Sequence, residues 1–282
     1  MKRSLNAKGI YYSHNITTNI ANDTSIVDIK KNHCHPWYEI LYIIKGEGRF
    51  IIDGREYPIR PNTLFLLSPF VYQHIEFDEG CTAYERQVLF FMPSDLTEMS
   101  NDILTSTLDH KSGAEIFYSP EAVTPKIISN LGRYNELFDM SDMQKCAFAQ
   151  VLLSELIIYI SMTHADEQPE KNANLAVHVV DYINQNLLNN VSLDELSRKF
   201  FVSKFYLCRA FKKHNGISVH GYINQKRITY AKHLIDSGES ASTAAYKVGF
   251  GDYSAFYRAY VKILGVSPTA DVSKKEFGYE IS

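Results

Sequence analysis

The chain has 282 residues, 45% hydrophobic and 13% aromatic, which is enough apolar material for two packed cores and excludes a largely disordered protein. Its net charge of −3 is unevenly spread, with 15 Lys and Arg against 23 Asp and Glu in residues 1–171, and 14 against 9 in residues 172–282. A basic half joined to an acidic half implies that only the C-terminal half meets a polyanion. Cys34, Cys81, Cys146 and Cys208 show no CxxC spacing, and Met1-Lys-Arg-Ser-Leu-Asn lacks the apolar region of a secretory signal, so free thiols in a cytoplasmic protein are expected. The longest apolar run, around Val151–Ile160, contains Ser154 and Glu155 and reads as too short to span a bilayer, so no membrane contact is expected.

In chain order, residues 24–92 read as short strands. Asp53-Gly54, between Arg49-Phe-Ile-Ile and Arg55-Glu-Tyr-Pro-Ile, is a type I′ hairpin signal because both residues tolerate positive φ. Further apolar runs at Leu64–Leu67, Val71–Phe77 and Gln87–Phe91, divided by Pro and Gly, predict a small barrel or sandwich. After Pro93 the spacing turns helical. Pro125–Phe138 and Met143–Met162 carry apolar residues at i, i+3 and i+4. The second is apolar almost all round, which fits either a helix between barrel and partner subunit or a covered core helix. Thr163–Asn172, polar with a central Pro169, marks a domain boundary.

Beyond that boundary, Leu175–Asn186 opens a helical half that holds two copies of one pattern, Ser192–Lys213 and Ser240–Lys262. Each has a polar cap, a short apolar-periodic helix, a turn and a second helix with an Arg midway. Ser192 is placed to cap the first helix, with Glu195 in the capping-box position, and Ser203 to cap the next. Helical spacing turns Leu207, Ala210 and Phe211 inward and Lys204, Phe205, Cys208, Arg209 and Lys212 outward. In the second copy Phe256, Ala259 and Tyr260 turn inward, and Tyr253, Ser254, Tyr257, Arg258 and Lys262 outward. Arg209 and Arg258 hold equivalent places, where an arginine pairs with guanine O6 and N7 and the lysines meet phosphates. The apolar stripe of Val219–Ser237, stopped by Gly238, predicts a helix about 27 Å long, matched to two reading helices in successive major grooves of double-stranded DNA about 34 Å apart.

Residues 175–273 resemble the AraC/XylS family of bacterial transcription regulators. The likeness runs through Ser192-Leu-Asp-Glu-Leu, Leu207-Cys-Arg-Ala-Phe-Lys-Lys, Gly216-Ile-Ser, Gln225-Lys-Arg-Ile, Ala231-Lys-His-Leu-Ile, Val248-Gly-Phe and Gly265-Val-Ser-Pro268. It implies base contacts from Phe205, Cys208 and Arg209 in the first motif, and from Tyr253, Ser254, Tyr257 and Arg258 in the second. The chain departs from the pattern at Ala241 and Ala244 (usually larger aliphatics), at Val261 (often Lys) and at Asp271-Val272 (a Tyr-Arg pair). Two alanines in a small core predict a looser second motif and a first motif that dominates specificity.

In the N-terminal half, His33, His35 and Glu39 share parity and His74 follows later, so a continuous strand would gather them on one face. The pattern resembles the cupin motif His-x-His-x(3)-Glu with a later His over roughly residues 20–90, which implies a small β-barrel, the usual sensor of AraC-like sugar regulators. Three roles stay open for the set: a divalent-metal site, polar contacts to an effector together with Trp37 and Tyr38, or structural hydrogen bonding. No bound metal or cofactor is assigned. Trp37, Tyr38, Tyr42, Phe50, Phe65 and Tyr72 supply aromatic surface suited to a sugar or to a plain barrel core.

The expected organisation is α+β with two domains. Residues 1–163 form a cupin-like β-barrel with two helices, for effector binding and dimerisation, followed by a linker over 164–174. Residues 175–273 form an all-α double helix-turn-helix domain, with motifs at 192–213 and 240–263, and 274–282 are a tail. The expected function is a cytoplasmic, sequence-specific transcription regulator, not an enzyme. It would act as a homodimer with RNA polymerase as partner, activating a carbohydrate-related operon in response to a small molecule. The alternatives are a constitutive architectural DNA binder and a metal-dependent cupin enzyme with a DNA-binding tail.

Overall fold

The computed structural model describes residues 2–7, 9–21, 29–109, 115–164, 175–189 and 191–271. The chain divides into two compact units, one of residues 1–30, 37–52 and 56–170, the other of residues 31–36, 53–55 and 171–282. Most of the linker expected over 164–174, and the whole tail 274–282, lie outside the described residues.

Among the described residues the first unit is built on nine strands: β1 (Lys2–Ala7), β2 (Ile10–Thr17), β3 (Tyr38–Lys45), β4 (Gly48–Ile52), β5 (Arg55–Ile59), β6 (Thr63–Leu67), β7 (Gln73–Phe77), β8 (Tyr84–Phe91) and β9 (Glu115–Tyr118). Six form one sheet in the order β1-β2-β8-β3-β6-β9, and three form a second in the order β5-β4-β7. The central strands of the large sheet bury both faces. One face, with Ile40, Tyr42, Leu64, Leu66, Leu89 and Phe91, packs under helices. The other, with Leu41, Ile43, Phe65, Leu67 and Val88, meets Phe50, Ile52, Tyr57, Ile59 and Ile75 of the small sheet. This double burial is why Thr63–Leu67 reads as an unbroken apolar run rather than an alternating one.

The helices on the large sheet are α1 (Glu98–Asp109), α2 (Pro125–Arg133) and α3 (Asp142–Met162). The helix expected over Pro125–Phe138 ends at Arg133 and continues as a tighter 3-10 segment, Tyr134–Asp139. The run Val151–Ile160 lies within α3, which at 21 residues is long and apolar enough to cross a membrane by length and composition only. Its residues Leu152, Leu153, Leu156, Ile157 and Ile160 are sealed in the core. Its other side leaves Met143, Val151, Ile158 and Met162 exposed.

The second unit contains α4 (Leu175–Gln185), α5 (Leu193–Lys199), α6 (Lys204–Asn215), α7 (Val219–Asp236), α8 (Ala241–Lys247), α9 (Tyr253–Leu264) and α10 (Pro268–Asp271). The 18 residues of α7 match the strut expected from the sequence. It ends in a Schellman motif, in which Glu239 N–H donates to Leu234 O, Gly238 N–H donates to Ile235 O, and Gly238 takes φ +101°.

Candidate nucleic-acid interface

Each motif begins from side-chain caps that fix where its helices start. Ser192 Oγ accepts from Glu195 N–H at 3.1 Å, Ser203 Oγ from Tyr206 N–H at 3.2 Å, and Ser240 Oγ from Thr243 N–H at 3.0 Å. The reading helix of the second motif is capped by Asp252, whose carboxylate accepts from Ser254 and Ala255 N–H. Those two bonds hold the Asp252 carboxyl below the ordinary carboxylate range. The capping box expected at Ser192 closes on one side only, because Glu195 accepts from the Tyr182 hydroxyl instead.

Both second helices split into the faces that their spacing predicts. In α6, Leu207 and Phe211 are buried, Lys204, Phe205, Arg209 and Lys212 are exposed, and Cys208 is half-buried. In α9, Phe256 and Tyr260 are buried, whereas Tyr253, Ser254, Tyr257, Arg258 and Lys262 are exposed. Lys204 is also paired with Asp194 at 2.5 Å across the first motif, which leaves its charge partly neutralised. Neither helix holds an acidic residue, so the outward face of each carries aromatic, small polar and cationic groups and no negative charge.

In the second motif Ala244 is buried in a cluster with Ala245, Ile228, Val248, Phe256 and Tyr260, and Ala241 is partly buried against it. The rings of Phe250 and Phe256 lie 5.5 Å apart, and those of Phe256 and Tyr260 lie 5.4 Å apart. Aromatic rings thus pack in the same cluster as the two alanines.

Sequence patterning missed the basic residues that hold the motifs together. Lys226 and Arg227 of α7 are buried, although a Lys-Arg pair in a helix reads as surface. The Arg227 guanidinium donates to Leu187 O at 2.9 Å, Gly249 O at 2.9 Å and Asn189 O at 2.5 Å. It thus ties the end of α4 to the turn of the second motif. Three exposed aromatics were missed too: Phe201, Tyr206 and Tyr246. Phe201 carried a signal only in its turn position, and Tyr206 only in its place on the first turn of α6.

The sensor candidates do not share one face. Strand β3 begins at Tyr38, after Pro36, so His33 and His35 precede it and strand parity does not extend to them. Their rings lie 6.3 Å apart. Glu39 is buried on the small-sheet side, where its carboxylate accepts from Gln73 Nε2 at 2.5 Å. Tyr38 faces the opposite side, stacked on Phe91 at 5.5 Å. Trp37 approaches Phe90 at 6.2 Å. His74 alternates with the inward-facing Gln73 and Ile75, and its Nε2 lies 3.6 Å from Glu76 on the outer face of the small sheet. Burial lowers its pKa below the ordinary histidine value. Among the described residues no three His, Cys, Asp or Glu side chains gather as metal ligands. Tyr84 shares the inner face with Glu39, and burial pushes its phenol up to about 12.

Residues 196–272 match the family model of a helix-turn-helix domain, and residues 25–119 that of the AraC-like ligand binding domain. The chain is 29% identical over 227 residues to an uncharacterized HTH-type transcriptional regulator, YbfI, of Bacillus subtilis, spanning 79% of this chain and 80% of that protein. It is 22% identical over 242 residues to the HTH-type transcriptional activator RhaS of Shigella dysenteriae, spanning 84% and 85%. A third relative, the uncharacterized HTH-type transcriptional regulator YfiF of Bacillus subtilis, is 24% identical over 251 residues, 84% of this chain and 76% of that one.

Proposed function

The chain belongs to the AraC family of transcription regulators, DNA-binding proteins rather than enzymes, and we propose that it is a cytoplasmic, effector-responsive homodimeric activator that reads two successive major grooves per protomer. The observation that carries this reading is the matched exposure of Arg209 and Arg258 on two capped helices with buried opposite faces, joined by an 18-residue strut. We assign base contacts to Phe205, Cys208, Arg209, Tyr253, Ser254, Tyr257 and Arg258, and phosphate contacts to Lys204, Lys212 and Lys262. Activation, through RNA polymerase, is the direction supported by the printed name of RhaS, a transcriptional activator.

The effector site is assigned to the interior between the two sheets of the first unit, beside Glu39 and Gln73. Carboxylate, amide and phenol groups against aromatic walls suit a polyhydroxylated ligand such as a sugar. Of the candidate residues, Glu39 fits this site best. His33, His35, Trp37, Tyr38 and His74 are expected to act on it indirectly. For dimerisation, the exposed side of α3 is the assigned surface: Met140, Ala147, Phe148 and Val151 line an apolar hollow of about 340 Å³ there.

The test is selection of a duplex from a random-sequence pool, followed by footprinting with a panel of mono- and oligosaccharides and sedimentation of the free protein. A selected site, a footprint altered by one sugar and a dimer with Val151→Glu dissociating it are the expected results. No selected sequence would overturn the regulator reading, flat responses to every sugar would overturn the sugar, and a footprint unmoved by any metabolite extract would favour a constitutive binder.

A further inference from the structure

The second unit buries a positive charge that its helices alone do not neutralise. The Lys226 side chain, in the middle of α7, is 5% exposed. Its ammonium donates to Asn184 Oδ1 of α4 at 2.7 Å and reaches the Asp53 carboxylate at 3.1 Å. Asp53, itself 3% exposed, also accepts from the Tyr222 hydroxyl at 2.6 Å and from Asn184 Nδ2 at 2.9 Å. Three donors from two helices therefore converge on one carboxylate.

The neighbours of Asp53 are held in the same unit. The Gly54 carbonyl lies 2.6 Å from His214 Nε2 of α6, and the Arg55 guanidinium donates to Asp181 of α4 at 2.6 Å. A Cβ at Gly54, where φ is +81°, would stand 3.0 Å from Asn215 Oδ1 and 3.2 Å from the His214 ring, so a side chain there would be strained and its neighbours would have to give. A desolvated ammonium without a counter-charge is expelled or neutralised, and an amide such as Asn184 orients it without neutralising it. The carboxylate that completes this site comes from residue 53, more than a hundred residues before the first helix of the unit.

We propose that Asp53 is a positioning residue of the DNA-binding unit, its carboxylate fixing α7 against α4 and so setting how the reading helices α6 and α9 stand to each other. This rests on the reading that Arg209 and Arg258 contact DNA, and goes beyond it in placing a determinant of binding outside both motifs. Because the pair is buried, its energy depends on both charges being present. Loss of the Asp53 charge leaves the Lys226 ammonium buried without this counter-charge, and loss of both charges together removes that cost.

The experiment measures affinity of the full-length protein for a duplex selected by the unaltered chain, at a temperature at which circular dichroism shows every variant folded. Asp53→Asn and Lys226→Gln, each alone, are expected to weaken binding about tenfold or more. Asp53→Asn/Lys226→Gln together, which keeps the hydrogen-bonding shapes without an unpaired charge, is expected to return to within about threefold. Single variants within about twofold of the unaltered chain, or a double variant whose loss equals the product of the two, would overturn the proposal. If a single variant fails to fold, the double variant decides: folded with near-normal affinity supports it, and unfolded or weakened overturns it. Arg209→Ala and Arg258→Ala serve as controls. If neither weakens binding, the DNA-contact reading has failed; if both do while Asp53→Asn does not, only the positioning role has.

Discussion

The two helix-turn-helix motifs share a plan but build their turns differently. At the turn of the first, Phe201 takes φ +54° and its ring is 94% exposed. At the equivalent point of the second, Gly249 takes φ +84°, and an added Cβ would lie 2.7 Å from Leu188 O and 3.1 Å from the Arg227 guanidinium. Positive φ alone does not therefore dictate glycine in this fold. At Gly249 the crowding beside the turn does, from Leu188 O and then from the Arg227 guanidinium. A second difference is charge. Lys199, Lys204, Lys212 and Lys213 surround the first reading helix, and Lys247 and Lys262 the second. Charge joins the two alanines as a ground for expecting the first motif to dominate binding.

The comparison breaks most readily at the cores. Phe211→Ala and Phe256→Ala, both removing rings with no exposed surface, should each cost about 3–5 kcal/mol in denaturant unfolding. A markedly smaller loss for Phe256 would support the expectation that the second motif is loosely packed, and equal losses would remove it. The turns come next. Gly249→Ala should cost at least about 2 kcal/mol from backbone strain plus the Leu188 clash, whereas Phe201→Gly should stay within about 1 kcal/mol of the unaltered protein, read from the same unfolding curves. On the DNA, Arg209→Ala should lose about 2–3 kcal/mol of affinity for a selected duplex and Arg258→Ala about 1–2 kcal/mol. Equal losses would remove the ranking.

The smallest effect concerns acid. Burial lowers the pKa of His233 on α7, so the unfolded chain takes up that proton first as pH falls. The associated stability is complete above about pH 6.5 and is lost as pH falls through the lower folded value. Thermal melts between pH 7 and pH 5 should show His233→Gln losing less stability than the unaltered chain. Parallel slopes would show that His233 does not titrate differently on folding.

Much of this architecture was legible because it follows from local rules. Asp53-Gly54 forms the hairpin turn at φ +45° and +81°, and the inward and outward residues of α6 and α9 follow helical spacing. What escaped depends on distant partners. β1 was invisible because most of its residues are exposed at the edge of the sheet, so no buried face patterns its sequence. The His33, His35, Glu39 and His74 set dissolved because Pro36 precedes the strand and His74 alternates to the far face of another sheet. Lys226 looked like a surface residue because its counter-charge, Asp53, lies 173 positions away.

The central claim is that one chain reads two grooves through two unequal motifs. Hydroxyl-radical and base-methylation footprinting of a selected duplex tests it most directly. Two protected major-groove patches per protomer are expected, about 10 base pairs apart, with Arg209→Ala erasing one and Arg258→Ala the other. A single patch, or two patches that fade together with either substitution, would contradict it.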